Sequence, residues 1–185
     1  MCRLSKIKFG HNNRCISVTI YRQRSYAVTG HEIYSFVDGF SRNKQVIMHS
    51  EDQEKTAFVT ESGVFVTVVM MFGLKTAPAT FQRVIQEIFV DYIPAFMQVF
   101  LDDFAVYSSR AYHFTHLQLS LEKCRQGRLS LNPTKCAFGV TSGTLLGHIV
   151  SQEGIVVDPN KVKVVLEAPP LTNTKALSRF LGQIR

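Results

Sequence analysis

The sequence predicts an α+β domain in which an antiparallel sheet packs against helices. Strand-like runs follow one another in pairs separated by short turn segments, which favours hairpins. Segments of helical periodicity separate these pairs instead of following each strand, so the order is not a βαβ series. The 185 residues are 45% hydrophobic and include 14 Phe, which is enough apolar surface for a packed core.

The first part of the predicted domain contains a strand, a helical turn and a hairpin. The segment HEIYSFVD alternates between two faces and predicts a strand that ends at Asp38. SEDQ, from Ser50, resembles a capping box and predicts a short helical turn. The β-rich runs TAFVT and VFVTVVMMF flank Glu61–Gly63 and predict a hairpin.

The period then changes to that of a helix. TAPATFQRVIQEIFVDYIP carries apolar residues at helical spacing, with Pro78 in the first turn and Pro94 at the predicted end. The next segment, AFMQVFLDDFAVYSS, predicts a second hairpin.

A further helix is predicted over YHFTHLQLSLEKCRQG, ending at Gly127. His113 and His116 lie three residues apart on this helix, and we interpret them as part of a solvated face in preference to half of a metal site. The predicted apolar face consists of Phe114, Leu117, Leu121 and Cys124.

The C-terminal part is predicted to contain strands and then helices. RLSL and LLGHIV are predicted strands. Asp158–Pro159 begins a helix that continues to Pro169–Pro170, and TKALSRFLGQI forms a last amphipathic helix.

The positive charge is concentrated near the N-terminus. Of 21 basic residues, six precede His31 without any acidic residue, leaving 15 basic against 14 acidic residues in the main body. We interpret residues 1–30 as a disordered basic leader; contact with nucleic-acid phosphates and a transit peptide are the alternatives. No apolar run reaches the roughly 18 residues of a membrane helix, so no membrane partner is expected. The four cysteines lack zinc-site spacing and predict free thiols.

Two adjacent carboxylates, Asp102 and Asp103, interrupt an apolar hairpin. Buried unpaired carboxylates are costly unless they bind a cation, and adjacent ones repel. If the strand ending at Asp38 neighbours this hairpin, three carboxylates converge and offer the hard oxygen ligands that Mg²⁺ prefers. Two such ions suit nucleotidyl transfer. We expect Asp102 to share metals with Asp38 more directly and Asp103 to support them; a calcium-binding or structural acidic turn is the alternative.

These motifs, in this order, resemble the reverse transcriptase of gypsy-type long-terminal-repeat retrotransposons, from about His31 onward. The matching stretches are YSFVDGFS, EDQEKTAFVTESG, MFGLKTAPATFQR, VFLDDFAVYS, LSLNPTKCAFG, LLGHIV and the segment from VDPNKVKV to the C-terminus. The resemblance implies a right-hand polymerase fold, with the palm over residues 31–150 and the end of the primer grip and a partial thumb over 151–185. It also implies RNA-directed DNA synthesis, with a template and primer of RNA or DNA and deoxynucleoside triphosphates as partners.

The resemblance assigns roles to particular residues. Asp38, Asp102 and Asp103 are the implied ligands of Mg²⁺ or Mn²⁺, and Lys135 lies near the nucleotide phosphates or is an ordinary surface lysine. Gln82 is expected either to face the template or to lie on a solvated helix face. The implied nucleotide- or template-binding residues are Asn43, Phe72, Gly73 and Gln82. The implied primer grip is Leu146, Gly147 and His148.

Three positions depart from the family pattern. Asn43 stands where the family has an aromatic residue under the sugar, Arg42 replaces a glycine, and Met71 replaces a proline. Residues 1–30 do not resemble the fingers subdomain, and the chain ends within the thumb motif. A truncated, catalytically inactive remnant that at most binds nucleic acid is therefore the alternative function.

Overall fold

The computed structural model describes residues 27–168, 170 and 172–183. Residues 1–26 of the predicted leader, with Cys2 and Cys15, lie outside this part. The predicted leader is wrong at its end, because Val28 is fully buried in the core. The α-helices within it are α1 (Ser50–Gln53), α2 (Ala77–Ile88), α3 (His113–Gln126), α4 (Pro159–Leu166) and α5 (Thr174–Gln183). The strands are β1 (Ile33–Asp38), β2 (Phe58–Thr60), β3 (Gly63–Phe65), β4 (Met97–Phe100), β5 (Asp103–Ser108), β6 (Ala137–Val140), β7 (Ser142–Leu145), β8 (His148–Ser151) and β9 (Gly154–Val157). Short 3-10 helices span Arg42–Gln45 and Glu54–Thr56.

A four-stranded antiparallel sheet in the order β4-β5-β1-β6 forms the centre of the fold. Side chains alternate along β5: Phe104 and Val106 join one buried cluster, and Ala105 and Tyr107 join the other. Helix α2 covers the first face with Phe81 and Ile85, whose burial contributes roughly 1.5–3 kcal/mol each. The sheet is therefore buried on both faces, which explains its apolar sequence.

A three-stranded sheet, β7-β8-β9, packs against the second face. The contact is close at Gly143, where an added Cβ would lie 2.1 Å from Phe36 Cε2. Leu145 and Val150 of this sheet are buried with Phe36. Only a residue without a side chain fits against the Phe36 ring, and the packing fixes the small sheet on the large one.

Most predicted elements are present, with altered ends. β1 ends at Asp38, and α2 begins with Pro78 in its first turn but ends at Ile88, before Pro94. The Asp158 side chain caps α4 by accepting from Asn160 N at 2.9 Å, and α4 ends at Leu166, before the predicted proline. α1 forms as predicted, but its N-cap is His49 and not Ser50.

Two predicted strands are wrong in detail. RLSL contributes only an isolated bridge between Leu131 and Gly39. The next residue, Asn132, donates its N–H to Asp38 O at the end of β1. LLGHIV is not one strand but a hairpin tip: Leu145 ends β7 and His148 begins β8. Leu146 and Gly147 have φ of 51° and 73°, which reverses the chain between them.

The predicted apolar face of α3 is wrong in part: Cys124 is buried in the core as predicted, but Phe114 and Leu121 are not buried. Phe114 is 77% exposed and Leu121 is 36% exposed, whereas His113, Ser120 and Cys124 are buried. Hydrogen bonds from His113 to Ser35 Oγ (2.7 Å) and Ser108 Oγ (3.0 Å) set this orientation. The helix therefore buries a polar stripe and exposes apolar residues.

His116 is also not on a solvated face: its ring stacks on Phe96 with centroids 4.1 Å apart. Burial lowers the pKa of His113 and of His116. Cys124 and Cys136 are free thiols, as predicted, and burial raises the pKa of Cys124 to about 12. In the described ranges, no helix combines the length and apolar character that crossing a membrane requires.

Candidate active site

Three carboxylates lie at one end of the central sheet. Asp38 is the last residue of β1 and pairs in register with Asp103, the first residue of β5. Asp102 occupies the turn that joins β4 to β5. Its carbonyl accepts a hydrogen bond from Gly39 N at 2.7 Å, which ties the turn to the loop that follows Asp38. The antiparallel pairing of β1 and β5 thus brings residues distant in sequence to the same sheet edge.

A cleft of about 260 Å³ opens at this edge, and we call it the acidic cleft. Asp38 and Asp102 both line it, whereas Asp103 is not among its lining residues. Asp38 and Asp102 therefore share a cleft, and the sharing of metals between them stays a prediction. The other lining side chains with chemical or packing roles are Ser41, Phe72, Asn132 and Lys135.

Lys135 lies beside Asp38 in the acidic cleft. The Lys135 Nζ–Asp38 Oδ2 distance is 3.6 Å, and the lysine side chain is 65% exposed while that of Asp38 is 15% exposed. Such an exposed pair contributes only about 0–1 kcal/mol to stability. Lys135 therefore adds a positive charge beside Asp38 without a large contribution to stability.

The loop before β6 is fixed directly to the backbone of Asp38. Asn132 N donates to Asp38 O at 2.8 Å, and Asp38 N donates to Cys136 Sγ at 3.5 Å. Thr134 Oγ1 donates to Asn132 Oδ1 at 2.7 Å and closes the turn that precedes Lys135. The sequence reasoning missed Asn132 and Cys136, although Asn132-Pro133 is a turn signal next to a predicted site lysine.

Gln45 connects the loop after β1 to Ser130, which precedes the loop before β6. Gln45 Oε1 accepts from Ser130 N at 2.7 Å, and its Nε2 donates to the carbonyls of Phe40 and Ser130. Phe40 N donates to Ser130 O at 2.9 Å. These bonds hold the loop that follows Asp38 and include Phe40, which lines the acidic cleft.

Neither predicted environment of Gln82 is correct. This residue is 6% exposed, so it is neither on a solvated face nor directed at a template. Its Nε2 donates to Val99 O at 3.1 Å, and its Oε1 accepts from Leu101 N at 2.6 Å. Gln82 therefore joins α2 to the turn that carries Asp102.

The predicted nucleotide-binding residues border the acidic cleft in part. Phe72 lines it and is 63% exposed, following the exposed Met71. Gly73 has a φ of 91°, which favours glycine. Asn43 belongs to the 3-10 helix Arg42–Gln45.

The special backbone angle near Arg42 falls on another residue. Ser41 has a φ of 49°, and Arg42 begins the 3-10 helix. Ser41, one residue before Arg42, is therefore the non-glycine residue with a positive φ in this loop.

The predicted primer-grip residues lie on the separate three-stranded sheet. Leu146 and Gly147 form the β7–β8 turn, and His148 Nδ1 lies 3.1 Å from Leu146 O. An added Cβ at Gly147 would lie 2.1 Å from Lys161 Nζ, so the lysine of α4 covers this turn. The structure keeps these residues together, outside the acidic cleft.

The donor set of the acidic cleft fits a hard divalent cation. Mg²⁺ is commonly held by one or two carboxylates together with substrate phosphates, and Asp38 and Asp102 supply two carboxylates. In the part of the chain that the structure describes, no three His, Cys, Asp or Glu side chains are arranged to hold a metal by themselves. The cleft therefore suits a metal that substrate helps to bind, not an all-protein cage.

Comparison with known proteins supplies the family context. A family model described as reverse transcriptase (RNA-dependent DNA polymerase) matches residues 4–150. The match includes residues 4–30, so the expectation that the family resemblance begins only at about His31 is wrong.

Among curated relatives, the retrovirus-related Pol polyprotein from transposon opus of Drosophila melanogaster is 39% identical over 150 residues, which are 80% of this chain and 15% of that protein. The transposon Tf2-3 polyprotein of Schizosaccharomyces pombe is 29% identical over 158 residues, which are 85% of this chain and 12% of that protein. The chain thus spans less than a sixth of the length of these relatives. The predicted resemblance to retrotransposon reverse transcriptases is confirmed.

Solved structures give the same result for the fold. The foamy viral protease-reverse transcriptase in complex with RNA/DNA hybrid has a TM-score of 0.77 at 19% identity, over 86% of this chain and 22% of that one. A form of it in complex with double-stranded DNA has a TM-score of 0.81 at 17% identity, over 93% of this chain and 30% of that one. The predicted α+β palm fold is confirmed.

Proposed function

Because this chain belongs to the reverse transcriptase (RNA-dependent DNA polymerase) family, we propose that it catalyses RNA-directed DNA synthesis from deoxynucleoside triphosphates. The observation that carries the proposal is the shared cleft of Asp38, Asp102 and Lys135. Two carboxylates and one cation on a rigid sheet edge suit the transfer of a nucleotidyl group. Asp103, paired in register with Asp38, supports the position of both strands.

Asp38 and Asp102 are the residues that we expect to hold divalent ions. Mg²⁺ or Mn²⁺ bound there supplies charge stabilisation to the attacking 3′-oxygen and the leaving pyrophosphate. Lys135, 3.6 Å from Asp38, offsets negative charge on the phosphates of the incoming nucleotide. The bonds from Asn132 N and to Cys136 Sγ keep the Asp38 backbone fixed during the transfer.

The incoming nucleotide is proposed to lie between the acidic cleft and the loop that carries Phe72. The exposed Phe72 ring offers an apolar surface, and Gly73, which follows it, has a positive φ. Asn43 follows in the 3-10 helix after the cleft, at the position where the family has an aromatic residue under the sugar. A shorter polar side chain there weakens discrimination between deoxyribose and ribose.

A template and primer of RNA or DNA are the proposed macromolecular partners. The relatives of known structure were solved with RNA/DNA hybrid and with double-stranded DNA. Leu146, Gly147 and His148 are the proposed primer-binding turn. We assign residues 31–150 to the palm and the following residues to the end of the primer grip and the thumb. Since β7, β8 and β9 form one sheet, Val157 is a better border than residue 150.

Template-directed incorporation tests the proposal. On oligo(dT) annealed to poly(rA), the chain should incorporate dTMP with Mg²⁺ or Mn²⁺ and reject dGMP; on oligo(dG) annealed to poly(rC), the preference should reverse. Binding of both template–primers that weakens steeply with salt, without incorporation of either nucleotide, would instead identify an inactive nucleic-acid-binding remnant.

A further inference from the structure

The turn that carries Asp102 has an unusual backbone. Leu101 has a φ of 55°, a left-handed conformation that is unfavourable for a non-glycine residue. Its N–H lies at the tip of the β4–β5 hairpin, beyond the last paired residues, Phe100 and Asp103. Something other than the strand ladder must hold this turn in place.

Gln82 supplies that support from helix α2. The side chain is buried, its Oε1 lies 2.6 Å from Leu101 N, and its Nε2 lies 3.1 Å from Val99 O. A carboxamide offers a hydrogen-bond donor and an acceptor side by side at any pH near neutral. The carboxamide of Gln82 therefore holds the turn on one side through two hydrogen bonds. On the other side, Gly39 N donates to Asp102 O at 2.7 Å.

We propose that Gln82 is a positioning residue for the nucleotidyl transfer proposed above: it fixes the left-handed turn at Leu101 and thereby the carboxylate of Asp102 relative to Asp38. Helix α2 is anchored in the core by Phe81 and Ile85, which lie one residue before and three residues after Gln82 in the chain. The turn at Leu101 is thus connected, through Gln82, to a helix that packs in the core. Displacement of a catalytic group by about 1 Å costs on the order of 10²-fold in rate, so a loosened turn should affect chemistry more than folding.

Gln82→Met tests this role because methionine retains length and burial but loses both hydrogen bonds. We expect kcat to fall at least tenfold and the Mg²⁺ concentration for half-maximal rate to rise at least fivefold. KM for template–primer should change less than twofold. The matched control is Gln98→Met, which alters a buried glutamine of the same hairpin that is not bonded to the Leu101 turn. This control should leave all three parameters within twofold.

Gln82→Glu should keep the function of Gln82 only when the introduced carboxyl group is protonated. Its carboxylate still accepts from Leu101 N but repels Val99 O, whereas the protonated acid donates to Val99 O and restores both hydrogen bonds. The rate of Gln82→Glu relative to the unmodified chain should therefore rise between pH 8 and pH 6. Gln82→Met should show no such rise.

Two measurements without catalysis separate this inference from the proposed function. Amide exchange at Leu101 should accelerate at least tenfold in Gln82→Met and stay unchanged in Gln98→Met. Mn²⁺ binding, followed by electron paramagnetic resonance, should weaken at least threefold in Gln82→Met only. An inactive unmodified chain that shows both effects would overturn the proposed function but retain the grip of Gln82 on Asp102. An active chain in which Gln82→Met keeps its Mg²⁺ dependence and Leu101 protection would overturn the positioning role.

Discussion

The buried imidazole of His113 is expected to contribute stability that depends on pH. Its two nitrogens lie 2.7 Å from Ser35 Oγ and 3.0 Å from Ser108 Oγ, and all three side chains are buried. A neutral ring donates through one nitrogen and accepts through the other, so it satisfies both hydroxyls at once. Burial, with a smaller effect from the charge of His116, lowers the pKa of His113.

Replacing His113 by leucine removes both bonds while keeping an apolar group in the space. A buried hydrogen bond contributes about 0.5–1.5 kcal/mol, and a polar group left unsatisfied costs about 1–3 kcal/mol. Ser35 Oγ still accepts from Gly139 N at 3.0 Å, whereas the described residues offer Ser108 Oγ no second partner. We therefore expect His113→Leu to lower the free energy of unfolding by about 2–4 kcal/mol at pH 7.5.

The sign of the pH dependence follows from the direction of the pKa shift. The unfolded imidazole takes up a proton near its usual pKa of 6.5, while the folded one resists protonation. The contribution of the neutral His113 ring to the free energy of unfolding is therefore fully present above about pH 6.5 and is lost as the pH falls below that value. Burial lowers the pKa of His31 and His116 as well, so His113→Leu should reduce this slope without abolishing it.

Urea denaturation followed by circular dichroism at pH 7.5, 6.5 and 5.5 measures both quantities. The matched control is Ser120→Ala, which alters a buried polar residue of the same helix face without removing a titratable group. Ser120→Ala should leave the dependence of the free energy of unfolding on pH unchanged. The reasoning would be refuted if His113→Leu lay within 0.5 kcal/mol of the unmodified chain at pH 7.5, or if it retained the same slope.

Three further changes test packing, sugar selection and phosphate binding. Gly143→Ala places a Cβ 2.1 Å from the Phe36 ring and should lower the free energy of unfolding by about 1–3 kcal/mol in the same urea assay; an unchanged midpoint would contradict the packing. Asn43→Phe should raise the preference for dTTP over UTP at least tenfold in primer extension; an unchanged ratio would argue against contact with the sugar. Lys135→Met removes the cation 3.6 Å from Asp38 and should raise KM for dTTP about tenfold while leaving KM for template–primer unchanged; a KM for dTTP within twofold of the unmodified value would exclude phosphate contact.

Local patterns in the sequence predict the elements and the charged residues of the site. The alternation that ends at Asp38 and the helix that begins around Pro78 each depend on residues close in sequence, and both are present. Asp102 is conspicuous because it interrupts an apolar run. These signals require no knowledge of what packs against them.

The errors concern residues whose environment is set by distant partners. The sequence shows Gln82 only as a polar residue of a helix. It is buried because the turn at Leu101 lies against it. His113 is buried because Ser35, 78 residues away, accepts or donates a hydrogen bond there. Cys136 approaches Asp38 across 98 residues. No periodicity within a single element reports such pairings, so the sequence placed His113 on a solvated face and did not indicate that Cys136 approaches Asp38.

Metal-dependent primer extension by Asp102→Asn tests the central claim most directly. The exchange keeps the size of the side chain and removes one of the two carboxylates that line the acidic cleft. Asp91→Asn, an exposed acid paired with Lys123 away from the cleft, is the matched control. We predict that Asp102→Asn lowers Mg²⁺-dependent incorporation of dTMP on poly(rA) by at least about 10²-fold, since a held metal contributes several kcal/mol to the transfer, while Asp91→Asn retains the unmodified rate. Equal incorporation by Asp102→Asn and the unmodified chain would contradict the account.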